Sequence, residues 1–128
     1  MRKFKFRAWD KEKKMWTNWK CYGNMFYFMD KNTGVWIRDD EFKRFILLQY
    51  TGLKDKISKE ICEGDIVIWD NKIGYIGFLK QEMGYCIILK DTDFRLGHRN
   101  IGNGYDFNAD IEIIGNIYGN PELLELRS

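Results

Sequence analysis

The sequence predicts a mainly β fold with minor α: an N-terminal β-hairpin unit over residues 1–60, then a small SH3-like barrel over residues 61–128 with a short C-terminal helix. The two parts can also be read as one continuous domain. Three observations carry this reading. A single proline, Pro121, and 12 glycines in 128 residues suit many tight connections and few long helices. The first segment, Lys3-Phe4-Lys5-Phe6-Arg7-Ala8, alternates charged and apolar residues with the period of two that a half-buried strand requires. The second half then offers four short apolar runs at the spacing of a closed or nearly closed antiparallel sheet.

In chain order, the opening strand is expected to turn Phe4, Phe6 and Ala8 toward a core, and Asp10 to Lys14 forms a charged connection. Met25 to Met29 and Val35 to Ile37 flank the turn residues Asp30-Lys31-Asn32-Thr33-Gly34, which predicts a hairpin. Asp39 to Leu48 places Phe42, Phe45 and Ile46 at helical spacing without a long periodic run, so a helical turn leading into a strand is expected. In Tyr50 to Lys56, Gly52 supplies a backbone angle that other residues resist, and Asp55 can bond to its own turn. The four later strands are Ile66 to Trp69, Ile73 to Leu79, Tyr85 to Leu89 and Ile111 to Tyr118. Asp70 to Lys72 and Gln81 to Gly84 provide turns between them. The Glu63-Gly64-Asp65 entry to Ile66 has the pattern of an SH3-like barrel strand. Asn120, Pro121 and Glu122 fit an N-cap, a first helical position and a favourable N-terminal charge, with Leu123, Leu124 and Leu126 to bury.

Composition bounds the function classes. An apolar content of 45% with 16% aromatics is ample for a packed core and unlike that of a disordered chain. The longest apolar runs, Met25 to Met29 and Phe45 to Leu48, fall far short of the ~20 residues a spanning helix needs, so no membrane partner is expected. Lys5, Arg7 and Asp10 interrupt what would have to be the apolar part of an export signal. The cysteines, Cys21, Cys62 and Cys86, are odd in number and widely spaced, and His98 is the only histidine. That pattern lacks the close ligand pairs of structural zinc and suits a reducing cytoplasm, so neither metal nor other cofactor is expected. Charge divides unevenly: residues 1–64 hold 15 Lys/Arg against 9 Asp/Glu, and residues 65–128 hold 6 against 10. A basic half and an acidic half can steer an anionic partner or let two copies attract.

Two segments could carry chemistry. From Arg2 to Lys20 there are 8 basic and 2 acidic residues interleaved with aromatics. Cations that neutralise phosphates beside rings that stack on bases are the components of single-strand binding. The candidate contacts are Lys3, Lys5, Arg7, Lys11, Lys13, Lys14, Trp16 and Trp19. The same residues also suit a strand with one core face and one solvated, lysine-protected face. The second segment is the long loop 91–108, where Arg95, His98 and Arg99 are the candidate functional side chains. His98 has the pKa range for proton transfer, but the sequence places no acid or nucleophile beside it. Asp91-x-Asp93 resembles the opening of a calcium loop, yet the glycine is misplaced and no glutamate closes it. No phosphate-binding glycine motif is present. No catalytic residue is assigned.

Three ordered blocks carry a family resemblance. Phe4 to Asp10, Leu48 to Val67, and Ile113 to Leu124 resemble the N-terminal, central and C-terminal blocks of the YopX family of phage and prophage proteins. The central block here carries Ile57-Ser58 where the family usually has an asparagine-glycine turn. The resemblance implies a phage or prophage product in a bacterial cytoplasm with a mixed or mainly β fold, and it implies no catalytic residues. The expectation is a non-enzymatic accessory protein that acts by self-association, with a dimer favoured, and by binding. The alternative is a nucleic-acid-binding module that uses the basic, aromatic N-terminal strip; an enzyme built on His98 ranks third.

Overall fold

A computed structural model describes residues 5–79, 84–89, 93–95 and 110–126. The chain is mainly β, built from antiparallel sheets with a short helix among the described residues. It divides into two compact units, residues 1–49 and 50–128. Within residues 1–49, β6 (Phe45–Lys54) pairs at its start with β1 (Phe6–Asp10); from Tyr50 on, its residues pair with β7 (Glu60–Cys62).

Unit 1 is two sheets. In the first, β1 is flanked by β2 (Met15–Thr17) and by β6, with Ala8 opposite both Thr17 and Leu47. The second is a three-stranded meander of β3 (Trp19–Tyr22), β4 (Met25–Asp30) and β5 (Val35–Arg38). The predicted hairpin is there, with Asp30 opposite Val35 across the turn. Alternation sends Phe28 inward, where its ring stacks on Phe45 at 4.7 Å and 5°, with Ala8 buried beside them. Phe42 holds a φ of 54°, which brings its ring to 5.2 Å from Phe26 and 6.2 Å from Phe28.

Two expectations for unit 1 are corrected. Phe6 does not enter the core: it is exposed and meets Trp19 edge-on at 6.2 Å, while the buried residues of β1 are Ala8, Trp9 and Asp10. Phe4 lies outside the described residues. The helical turn expected from Asp39 is an irregular bend, because the Asp39 carboxylate accepts the backbone N–H groups of Lys43, Arg44 and Phe45 and the positive φ of Phe42 excludes a helix.

Unit 2 centres on β8 (Asp65–Trp69), β9 (Lys72–Leu79) and β10 (Gly84–Ile88), which run as consecutive antiparallel neighbours. A short strand, β11 (Asp93–Arg95), pairs on the far side of β10, and β12 (Glu112–Asn116) returns beside β8. So the segment read as a loop over residues 91–108 contains a strand at 93–95; residues 91–92 and 96–109, with His98 and Arg99, lie outside the described residues. The core holds Ile61, Val67, Ile76, Ile87, Leu89 and Ile111. At Gly74 a Cβ would stand 2.7 Å from the carbonyl oxygen of Ile88, so only glycine allows this close crossing of β9 and β10.

The Tyr50 to Lys56 block folds as its residues suggest. Gly52 sits at φ 86°. Asp55 is buried, and its Oδ1 accepts from the N–H groups of Ile57 at 3.0 Å and Lys59 at 2.9 Å. Ser58 takes φ 66°. Oδ2 of Asp55 accepts from the N–H of Ile113 at 3.3 Å, tying this turn to β12. The terminal helix, Pro121–Leu126, is 3-10. Asn120 begins it through its carbonyl, which accepts from Leu123 N at 3.0 Å, while its side chain turns back to the N–H of Asn116. Leu123 and Leu124 are half-buried, but Leu126 is left 67% exposed, contrary to the expected burial of all three.

Candidate functional site

Alternation along β3, β4 and β5 gives their sheet two different faces. Phe26, Phe28 and Ile37 point to the aromatic core of unit 1. The residues between them must point outward, and the register places them in rows. Lys20, Tyr27 and Arg38 lie opposite one another on the three strands; Tyr22 pairs with Met25 in one neighbouring row, and Met29 with Trp36 in the other. Rings therefore share this face with cations. The Lys20 ammonium lies 4.1 Å from the Trp36 ring centre and 5.9 Å from those of Tyr22 and Tyr27. Tyr22 and Tyr27 meet edge-on at 6.1 Å, and Tyr22 is 58% exposed. Cation–π contacts at such sites are each worth roughly 0.5–1 kcal/mol.

Carboxylates fix the loops that carry this sheet. Arg44 donates to Asp10 and to Asp30, and Asp30 in turn accepts from the N–H groups of Asn32 and Thr33, which closes the β4–β5 turn. Arg44 is the main influence holding the Asp30 carboxyl below its usual range. For Asp10, burial pushes upward, but Arg44 and the N–H groups of Lys13 and Glu12 prevail and hold it low. At the far end of β5, Arg38 donates to Asp40 at 2.8 Å and lowers that carboxyl too. Asp40 also accepts from the N–H of Phe26, fastening the start of β4.

The N-terminal strip proposed from sequence is dispersed. Trp9 is buried. Trp16 is half-buried, with the Arg7 guanidinium 3.6 Å from its ring centre and Trp9 edge-on at 4.8 Å. Trp19 packs against the core of unit 1 and donates its Nε1–H to the carbonyl of Phe6. Lys11 Nζ reaches the carbonyl of Phe42 at 3.4 Å, and Lys13 lies 4.0 Å from Glu12. Lys5 and Lys14 are exposed, Lys14 at φ 55° in the β1–β2 turn. Lys3 lies outside the described residues, as do His98 and Arg99; Arg95 belongs to β11.

Sequence reasoning missed Lys20, Tyr22, Tyr27 and Trp36 as a group. The signal was the alternation itself, since a β4–β5 hairpin closed at Asp30 and Val35 already sets Tyr27 opposite Arg38. It also missed Glu63 and Tyr118: burial pushes both groups up, and the Glu63 charge adds to the shift on Tyr118. Among the described residues, no group of three or more His, Cys, Asp or Glu is placed to hold a metal ion. Cys21 is exposed, and Cys62 and Cys86 are buried thiols. No helix in the described residues is long and apolar enough to cross a membrane.

Comparison with known proteins places this architecture. The profile of the YopX protein family matches residues 5–125. Among solved structures, protein EF1440 from Enterococcus faecalis is similar at 24% identity and a TM-score of 0.53, over 94% of this chain and 97% of that one. Protein yopX from Bacillus subtilis is similar at 20% identity and a TM-score of 0.57, over 93% and 96%. At these identities the two likenesses show the fold. Among curated proteins nothing matches.

Proposed function

This chain belongs to the YopX family, and from that premise we propose that it is a phage- or prophage-encoded accessory protein of the bacterial cytoplasm that acts by self-association and binding, without catalysis. The observation that supports self-association is the apolar surface of a single copy of unit 2, where Ile57 is 71% exposed, Leu126 67% and Phe78 50%. Phe78 also meets Tyr85 edge-on at 5.4 Å, which makes a rigid aromatic pair at the surface. Rigid aromatics of this kind are the usual anchors of protein interfaces. Closed twofold symmetry is the commonest arrangement, so the expected species is a dimer. Sedimentation velocity at micromolar concentration is expected to show twice the 15.4 kDa chain mass. Phe78→Ser and Ile57→Ser are expected to return the protein to monomer with its circular dichroism unchanged. A wild-type chain that sediments only as a monomer overturns the reading.

The SH3-like barrel expected over residues 61–128 belongs to the same proposal. It is supported by the order β11-β10-β9-β8-β12, in which a meander is followed by a last strand that returns beside the first.

A further inference from the structure

The outward face of β3–β4–β5 has a chemistry that its own unit does not use. Its rings stand outside the core that Phe26, Phe28 and Ile37 fill on the other side of the same sheet; Tyr22 is exposed, and Tyr27 and Trp36 are half-buried. Its rows of side chains follow each other every second residue, about 7 Å along the strands. The central row sets Tyr27 between Lys20 and Arg38, and Tyr22 and Trp36 stand in the rows on either side.

Charge then selects the partner. Residues 1–49 hold 12 Lys/Arg against 6 Asp/Glu. All six acids are engaged within the unit. Asp10 and Asp30 take Arg44, Glu12 takes Arg44 and Lys13, Asp40 takes Arg38, and Glu41 takes Lys43. Asp39 takes three backbone N–H groups. The unit as a whole therefore carries a net charge of +6 (12 − 6), and that field favours an anion. Arg38 keeps donors to spare after its contact with Asp40, since a guanidinium has five. The same face of a second copy would bring Lys20 toward its own like charge, and a neutral apolar partner would strip water from Lys20 without replacing it. A flexible chain with an anionic backbone and flat unpaired rings meets both demands. Duplex nucleic acid hides the faces of its bases in the stack.

We propose that this face binds single-stranded nucleic acid, with Tyr22, Tyr27 and Trp36 stacking on bases and Lys20 and Arg38 contacting phosphates. In the unbound chain the Lys20 ammonium rests on Trp36. Binding moves the ammonium to a phosphate and gives the ring to a base, so the cation–π contact is exchanged for a stack and an ion pair.

Fluorescence anisotropy tests this with labelled oligo-dT and oligo-U strands of about 12 nucleotides, within the ~4–16 that one small domain covers. A duplex of the same length and polyglutamate serve as comparisons. At low salt the single strands are expected to bind more tightly than the duplex. Tyr22→Ser and Trp36→Ala are each expected to weaken binding roughly tenfold to a hundredfold. Lys20→Ala is expected to lower the slope of log affinity against log salt by about 0.7. Tyr22 is a surface residue, so Tyr22→Ser keeps the test decisive if Trp36→Ala disturbs the fold, which its melting curve reports. The proposal is overturned if single strands do not bind, if the duplex binds as well, or if Tyr22→Ser leaves the affinity unchanged. Polyglutamate that binds with the same dependence on Tyr22, in place of the oligonucleotides, overturns it in favour of an acidic protein partner.

Discussion

Arg44 and Asp10 form a two-pronged ion pair: Nε donates to Oδ1 at 3.1 Å and Nη2 to Oδ2 at 2.9 Å, while Nη2 also reaches Asp30 Oδ2 at 2.8 Å. The Asp10 side chain is almost fully buried, so the pairing neutralises a carboxylate that could not stay charged alone. It also joins three separate stretches of unit 1, the end of β1, the end of β4 and the approach to β6. Arg44 is thus one fastening between the two sheets of that unit, beside the stack of Phe28 on Phe45.

Removing Arg44 leaves the buried Asp10 and Asp30 carboxylates without their cation and takes a partner from Glu12 as well. Arg44→Met is expected to cost about 3 kcal/mol, the low end for a broken buried pair because Arg44 remains 21% exposed. Arg44→Lys recovers little, since an ammonium cannot reproduce the two-pronged contact. Urea denaturation of the three proteins measures both effects, and an Arg44→Lys variant as stable as the wild type contradicts the geometry.

The same carboxylates set a pH limit. Asp10, Asp30 and Asp39 are all held below their ordinary values in the folded chain. A carboxyl lowered on folding contributes stability that is complete above the unfolded value of about 3.9 and is lost as pH falls through the folded value. The protein is therefore expected to keep its stability from neutrality down to about pH 4 and to lose it steadily below that. Denaturant midpoints between about pH 2 and 6 check this, and a loss already centred near pH 6 assigns the transition to other groups.

The fold was legible where a local pattern and a turn agreed. Met25 to Met29 and Val35 to Ile37 are apolar runs around Asp30 to Gly34, and they form the predicted hairpin. β2 and β3 were not legible, because they hold three and four residues with Asn18 between them and supply too little alternation to register. Phe42, Phe45 and Ile46 suggested a helical turn, but three N–H groups bonded to Asp39 and a positive φ at Phe42 are tertiary choices that spacing does not encode. The candidate face was hidden for a related reason. Lys20, Tyr27 and Trp36 come from three strands, and only their register makes them neighbours, whereas the N-terminal strip was adjacent in sequence and is dispersed in space.

Asp55 offers the sharpest check on the central block. Its two oxygens bond the turn N–H groups of Ile57 and Lys59 and also the N–H of Ile113 on β12, 58 residues away. Asp55→Ala leaves these donors without the acceptor, and the carboxylate's loss is expected to cost about 1–3 kcal/mol. Asp55→Asn keeps one acceptor oxygen, so it is expected to retain the turn bonds and weaken the link to Ile113. Amide hydrogen exchange separates the two roles. In Asp55→Asn, faster exchange is expected at Ile113, with Lys59 close to its wild-type rate. Equal acceleration at both sites would mean that the turn and β12 open together, and that Asp55 holds them as one unit.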